Sequence, residues 1–148
     1  MDKFVFRNLE DAPCYKVTNA FCPEGYFVNS TIFGDEATQK VIGDWPRNPE
    51  ENPNFHYVHR TTLPVGGEVH EHPHVGNEQF YLVMEGEAEI TLCGNKFPAK
   101  PWTLALIRSG GSHGIRNTGN TPLVYLCVET GLSSQAKAAD DQAGAEHE

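Results

Sequence analysis

The sequence predicts an all-β protein, a sandwich or barrel, and three observations support this fold class. Most of the chain has an apolar–polar period of two rather than the period of a helix. The apolar runs are rich in β-branched and aromatic residues, which favour strands. Glycine, proline and asparagine separate these runs at short intervals, as turns do in sandwiches and barrels. With 148 residues, the chain is long enough for one domain with a substantial core.

Six segments have the composition of strands, and they are, in chain order, residues 26–32, 54–63, 79–84, 87–92, 102–107 and 122–129. The predicted turns between them are PVGG at 64–67, CGNK at 93–96, SGGS at 109–112 and NTGNTP at 117–122. Each turn is rich in residues that suit tight backbone bends. The strand series therefore covers most of the second half of the chain.

The remaining segments are predicted to surround this series. Residues 43–54 contain three prolines and three asparagines, so a long surface loop is expected there rather than a central strand. After about residue 131 the composition is small, polar and acidic, which is typical of a flexible tail. We therefore predict that residues 1–53 pack on a barrel core of residues 54–131, which a tail of residues 132–148 follows.

Charge and cysteine content limit the possible partners and compartment. The net charge of −9 disfavours binding to nucleic acid or to anionic membranes. No apolar run approaches the length of a membrane span, and the N-terminus lacks the apolar core of a signal peptide, so a cytoplasmic location is expected. Cys93 and Cys127 lie in apolar runs and are predicted to be buried free thiols. A disulfide between Cys14 and Cys22 is disfavoured in a reducing compartment.

The stretch HEHPHVGNEQFYLVMEG, residues 70–86, places three histidines before an apolar strand. Residues two apart on a strand point to the same face, so His72 and His74 can reach one metal ion, and His70 has the same parity. Pro73 lacks a backbone N–H and therefore predicts that this segment lies at a sheet edge. The alternative is a solvated polar loop, but three histidines in five residues favour a metal site at the rim of a barrel.

These residues resemble the first motif of the cupin superfamily, G(X)5HXH(X)3–4E(X)6G. Gly66, His72, His74 and Gly86 occupy the expected positions, and Gln79 stands where the family has glutamate. Glu78, one residue earlier, fits the shorter spacing to the histidines but not the spacing to the glycine. If both lie on the strand, Glu78 and Gln79 point to opposite faces.

The segment RSGGSHGIRN, residues 108–117, resembles the second cupin motif, G(X)5PXG(X)2H(X)3N. Gly110, His113 and Asn117 match that motif, whereas Arg108 replaces its proline. The resemblance covers roughly residues 54–130 and implies a double-stranded β-helix, or jelly-roll barrel, that encloses one pocket. It also implies that His72, His74, Gln79 and His113 bind one divalent metal ion.

The ligand set indicates the kind of ion and of substrate. Imidazole-rich sites suit Zn, Ni, Fe or Cu, and Mn is a further candidate although it prefers oxygen ligands. Three neutral imidazoles and a neutral amide leave the charge of the ion uncompensated, which favours a small anionic substrate or hydroxide. A cupin that linearises unsaturated uronates in pectin breakdown also has glutamine at the glutamate position.

Three functions are consistent with this pattern. The first is an enzyme with Lewis-acid chemistry, an isomerase or lyase for a small sugar acid or keto acid. Tyr81, Glu78 and His70 are then the candidates for proton transfer, and Arg60 and Arg116 are the candidates for binding a substrate carboxylate. The second is a non-haem metal dioxygenase, and the third is a cupin that binds a metabolite without catalysis. Small cupins commonly pair, and residues 4–9 resemble an unpaired strand, so we expect a homodimer.

Overall fold

The computed structural model describes residues 6, 8–12, 14–18, 22, 25–33, 55–132 and 141–142, and only the backbone of residues 31–33. Ten β-strands form within these residues: β1 Cys14–Val17, β2 Phe27–Phe33, β3 Phe55–Leu63, β4 Glu68–Pro73, β5 Asn77–Glu85, β6 Ala88–Leu92, β7 Asn95–Ala99, β8 Leu104–Ile107, β9 Ser112–Asn117 and β10 Leu123–Gly131. The predicted all-β fold is confirmed, and strands β1, β4, β7 and β9 add to the six strand segments found in the sequence.

Two antiparallel sheets face each other in the barrel. The larger has the strand order β1-β2-β3-β10-β5-β8, and the smaller has the order β4-β9-β6-β7. Strands β3 and β5 both pair with β10, although the paired residues are 60 or more positions apart for β3 and 39 to 54 positions apart for β5. This arrangement is the double-stranded β-helix that the sequence predicted. Because β4 is the first strand of the smaller sheet, the predicted edge position of Pro73 is confirmed.

Inward-facing side chains of both sheets pack against one another between the sheets. Val83 on β5, Ile90 on β6 and Leu123 on β10 are almost completely buried in this core. Burial alternates along β5, where Gln79, Tyr81 and Val83 are buried and the residues between them are only partly buried. These apolar side chains occupy one end of the barrel, the apolar end, and buried polar side chains such as Gln79, His113 and Glu129 occupy the other, the polar end.

Gly86 allows the sharp turn between β5 and β6. Its φ of +87° lies in the left-handed region, and an added Cβ atom would lie 3.0 Å from the carbonyl oxygen of Pro122. Asn117 fixes the neighbouring turn, because its side-chain amide donates to the carbonyl groups of Leu63 and Thr121. These two motif residues therefore stabilise the apolar end of the barrel.

Several predictions concern segments outside the described residues. The proline-rich loop at 43–54 and most of the tail at 132–148 lie there, so the division into 1–53, 54–131 and 132–148 stays a prediction. Of the strand expected at residues 4–9, the structure describes Phe6, Asn8 and Leu9, and none of these three is in a strand. In the described part of the chain, no helix has the length and hydropathy needed to cross a membrane.

Candidate metal centre

Three histidines from two strands and a loop converge at the polar end of the barrel. His72 on β4 is directly opposite His113 on β9. His74 follows β4, and backbone hydrogen bonds hold it against the β8–β9 turn, from His74 N to Gly111 O at 2.9 Å and from Gly110 N to His74 O at 2.7 Å. The nitrogen ligand atoms of His72, His74 and His113 all lie within 4.8 Å of one another.

A bulge in β4 sets the direction of His72. Val69 pairs with Ile115 and His72 pairs with His113, so three residues of β4 span two residues of β9. Gly114 makes room for this bulge, because a Cβ atom there would lie 2.8 Å from both Val69 O and Glu71 N. The extra residue lets both Val69 and His72 face the interior.

The same bulge corrects the expectation that His70 shares a face with His72 and His74. His70 lines a groove on the outer face of the smaller sheet, together with Glu71, Lys96 and Arg116. Its backbone carbonyl still serves the cluster, because it accepts a hydrogen bond from His72 Nδ1 at 2.7 Å. This bond leaves His72 Nε2 as the ligand atom and fixes the ring orientation, as partners of metal-binding histidines commonly do.

The other two imidazoles are held in the neutral form that binds metal. His113 Nε2 lies 2.8 Å from His74 Nε2. Burial, with smaller contributions from His74 and His72, lowers the pKa of His113 to about 2. Burial and the neighbouring His72 also lower the pKa of His74, and Glu129 partly opposes this effect. At neutral pH these rings are therefore unprotonated and have lone pairs to donate.

These residues fit a divalent transition ion. The three imidazoles face one another within a few ångströms, two of them are kept neutral by their surroundings, and one is oriented by a backbone carbonyl. Such a nitrogen donor set suits Zn, Ni, Fe or Cu better than Mg or Ca.

Tyr81 on β5 contacts the cluster directly. Its ring stacks on that of His113 with centroids 4.5 Å apart, and its hydroxyl lies 3.2 Å from His113 Nε2. Burial raises the pKa of Tyr81 well above its usual value, so the phenol is protonated at neutral pH. Of the three candidates for proton transfer, Tyr81 is the one that lies against the histidines.

Gln79 and Glu78 lie on opposite sides of β5, as strand parity predicts. Gln79 is buried and faces the interior, whereas Glu78 alternates to the outer side. The amide nitrogen of Gln79 donates to the hydroxyl of Tyr57 and to Glu129 Oε1, the latter at 2.8 Å. Among the described residues, its oxygen accepts only a long bond of 3.8 Å from the thiol of Cys127. The amide oxygen therefore keeps capacity for a further partner.

Glu129 is the functional candidate that the sequence analysis missed. Only 8% of this residue is exposed, its Oε1 lies 3.9 Å from His74 Nδ1, and its Oε2 accepts a bond from His56 Nδ1 at 2.9 Å. A signal was present, because Glu129 has the same strand parity as the buried residues Tyr125 and Leu123. The expected uncompensated charge at the metal site is thus corrected: a buried carboxylate adjoins the imidazoles.

Neither arginine predicted to bind substrate lies beside the histidines. Arg60 lines a groove on the outer face of the larger sheet with Met84 and Leu126. Arg116 is exposed on the outer face of the smaller sheet and pairs with Glu89 at 3.2 Å. Both have the strand parity opposite to the buried residues next to them, which places them outside the barrel.

Comparison with known proteins identifies relatives of the barrel. A family model described as a cupin domain matches residues 59–129. An oxalate-binding protein of Thermotoga maritima is 39% identical over 69 residues, which are 47% of this chain and 57% of that protein. L-ectoine synthase of Vibrio campbellii is 32% identical over 80 residues, which are 53% of this chain and 61% of the enzyme. The chain thus spans less than two thirds of the length of these curated relatives.

Solved structures extend the likeness over most of the chain. The crystal structure of a predicted oxalate decarboxylase from Thermotoga maritima superposes with a TM-score of 0.68 at 26% identity, and covers 84% of this chain and 97% of that one. The cupin domain of Cnp3 from Schizosaccharomyces pombe superposes with a TM-score of 0.59 at 17% identity, and covers 76% of this chain and 70% of that one. The second likeness concerns the fold alone.

Proposed function

Because the chain is a small protein of the cupin superfamily, we propose that it is a metal-dependent enzyme for a small anionic substrate. In this proposal His72, His74, His113 and Gln79 hold one divalent ion, and the reaction is an isomerisation or elimination on a small sugar acid or keto acid. The observation that carries the proposal is the convergence of the three histidine nitrogens beside the Tyr81 hydroxyl.

A bound ion would polarise a carbonyl or hydroxyl oxygen of the substrate as a Lewis acid. The residues of the chain would orient the substrate and move its proton. The Tyr81 hydroxyl is protonated and adjoins the ligand nitrogen of His113, so it is positioned to donate a proton to a substrate oxygen there. The buried rings of Tyr81 and Tyr125, which contact each other edge to face, keep water away from the floor of the site.

The ion itself would recognise the negative charge of the substrate. Arg60 and Arg116 lie on the outer faces of the two sheets, and the carboxylate of Glu129 lies inside. A small carboxylate that binds the ion directly fits this distribution of charge better than a ligand held by an arginine. The proposed substrate class is therefore small mono- and dicarboxylates with an adjacent hydroxyl or carbonyl group.

A second candidate function is binding of a small carboxylate without turnover. It is favoured by the relative named oxalate-binding protein, which is 39% identical over 69 residues. The dioxygenase alternative gains no such support, because Glu78, the carboxylate that would complete a three-histidine, one-glutamate centre, faces away from the cluster.

The test combines metal analysis with a screen of small acids. We expect about one divalent ion per chain in the purified protein, and loss of that ion in H113A. The loaded protein is then incubated with oxalate, keto acids and sugar acids; NMR follows product formation, an electrode follows oxygen uptake, and calorimetry measures binding. Ion-dependent product without oxygen uptake supports the enzyme, and binding without product supports the second candidate. A wild-type protein that binds no divalent ion would contradict both.

We also propose a homodimer in the cytoplasm. The strand at the edge of the larger sheet, β8, exposes Leu104 and Leu106, and a second copy of the chain would cover them. Sedimentation at micromolar concentration tests the dimer, and a monomeric mass would contradict it.

A further inference from the structure

The side chain of Gln79 is held mainly through its amide nitrogen. Both hydrogen atoms of its amide nitrogen have acceptors, namely the hydroxyl of Tyr57 and Oε1 of Glu129. A glutamine amide has two donors at nitrogen and two acceptor sites at oxygen. Since both donors are used, the oxygen is the atom of Gln79 that remains available to a ligand.

Glu129 is fixed as firmly as the amide that it holds. On adjacent strands, Tyr57 and Gln79 are both directly opposite Glu129, so the three residues form one row across β3, β10 and β5. Oε1 of Glu129 accepts the bond from Gln79, and Oε2 accepts one from His56 Nδ1 at 2.9 Å. A carboxylate can only accept hydrogen bonds. The group of Gln79 that faces Glu129 must therefore be the amide nitrogen and not the amide oxygen.

We propose that Glu129 is the positioning residue of the metal centre. It fixes Gln79 with the amide oxygen free to bind the ion, and it supplies from β10 the negative charge that the glutamine at position 79 does not carry. This inference rests on the proposed function, because it requires an ion at the histidines. It extends that function by making residues 79 and 129 an interdependent pair, one amide and one carboxylate.

The pair has a consequence for substitution. With glutamate at both positions, two carboxylates would meet at the 2.8 Å now spanned by a hydrogen bond, and like charges that close destabilise the buried site. With glutamine at both positions, neither amide has a fixed orientation, because each can offer nitrogen or oxygen to the other. The reversed pair, Q79E with E129Q, restores one amide and one carboxylate.

The experiment is a double-mutant cycle on the full chain. Ion affinity is measured by calorimetry for the wild type, Q79E, E129Q and the double variant, and the melting temperature is measured without ion. We expect E129Q to lower ion affinity about 10- to 100-fold, as loss of a partner of a metal ligand typically does. Q79E should lower the melting temperature of the ion-free protein. The double variant should regain most of both losses, since the pair is restored.

The control is E85Q, which removes one exposed carboxylate from the same strand β5 at its other end. It should leave ion affinity and melting temperature unchanged. Equal ion affinity of E129Q and the wild type, or additive losses in the double variant, would overturn the inference while leaving the proposed function intact. A wild-type protein that binds no ion would overturn the proposed function and this inference with it.

Discussion

The two ends of the barrel interior differ in chemistry although the same strands line both. On β5, Gln79 and Tyr81 lie at the polar end and Val83 lies toward the apolar end. On β10, the inward positions change from Glu129 to the completely buried Leu123. The polar end therefore contains groups that require partners or an ion, whereas the side chains of Val83 and Leu123 require only exclusion of water.

Along a single strand, the residues that stabilise the fold are therefore different from the residues that form the candidate metal centre. On β9, His113 belongs to the metal centre and Ile115, two residues later, packs in the core. The apolar end holds the sheets together, so their polar ends can keep buried imidazoles and a carboxylate in place. Substitutions at the two ends should then have different effects, and the following predictions test this.

The largest effect on stability is expected at the apolar end. L123A removes a side chain that is 0% exposed, and it should lower the free energy of unfolding by about 2–5 kcal/mol. Ion affinity of the folded protein should not change, because Leu123 lies at the other end of β10 from Glu129. Denaturant unfolding and calorimetry measure the two quantities. V65A, at an exposed valine, is the control, and a loss of ion affinity in L123A would show that the ends are coupled.

The largest effect on chemistry is expected at Tyr81. Y81F removes the hydroxyl that adjoins His113 Nε2, and turnover of the substrate found in the screen should fall about 100-fold or more. Ion affinity and the melting temperature should change little, because the ring and its stacking remain. Y125F is the matched control, since it removes a buried hydroxyl in the neighbouring layer, and it should retain turnover. Equal turnover in Y81F and Y125F would exclude Tyr81 as the proton donor.

A smaller effect is expected on the outer face. R116Q removes an exposed ion pair with Glu89, and such pairs contribute less than about 1 kcal/mol to stability. Affinity for small carboxylates should be unchanged, because Arg116 lies outside the barrel. Titration of the loaded protein with oxalate measures this affinity, and R60Q should behave in the same way. A tenfold loss in either variant would restore the role in substrate binding that the sequence predicted for it.

The last prediction compares the reactivity of the four cysteine thiols and requires no substitution. Cys14 and Cys93 are exposed, whereas Cys22 is buried and Cys127 on β10 is partly exposed at its surface. Burial raises the pKa of Cys127 to about 12, so it has almost no thiolate at pH 8. Alkylation at pH 8, followed by mass spectrometry, should modify Cys14 and Cys93 quickly and the other two slowly. Rapid modification of Cys127 would show that the polar end is open to reagents.

Cys93 also shows a limit of the strand pattern. The sequence predicted a buried thiol at the end of an apolar run, but the structure places Cys93 in the β6–β7 turn, exposed, with a φ of +48°. The predicted turn CGNK at 93–96 begins at the correct residue, and the turn rather than the apolar run decides the exposure of Cys93. Turn residues are specified by local backbone geometry, which a hydrophobic pattern does not describe.

The sequence by itself determined the fold class, and it identified the three histidines of the candidate metal centre. Strand period and turn residues depend on neighbours one or two positions away, so they could be recognised in the sequence without knowledge of the tertiary structure. The same rule put Gln79 inside and Glu78 outside. The motifs brought His113 together with His72 and His74 across about 40 residues, which period alone could not do.

Only the tertiary structure decided the surroundings of these ligands. The bulge that turns His70 away from His72 depends on the close approach of β4 to Gly114. Glu129 reaches Gln79 because β10 inserts between β3 and β5, and this pairing joins residues 50 positions apart. Cross-strand register is set by how two sheets pack and close, and that information is spread over the whole chain rather than contained in any one segment.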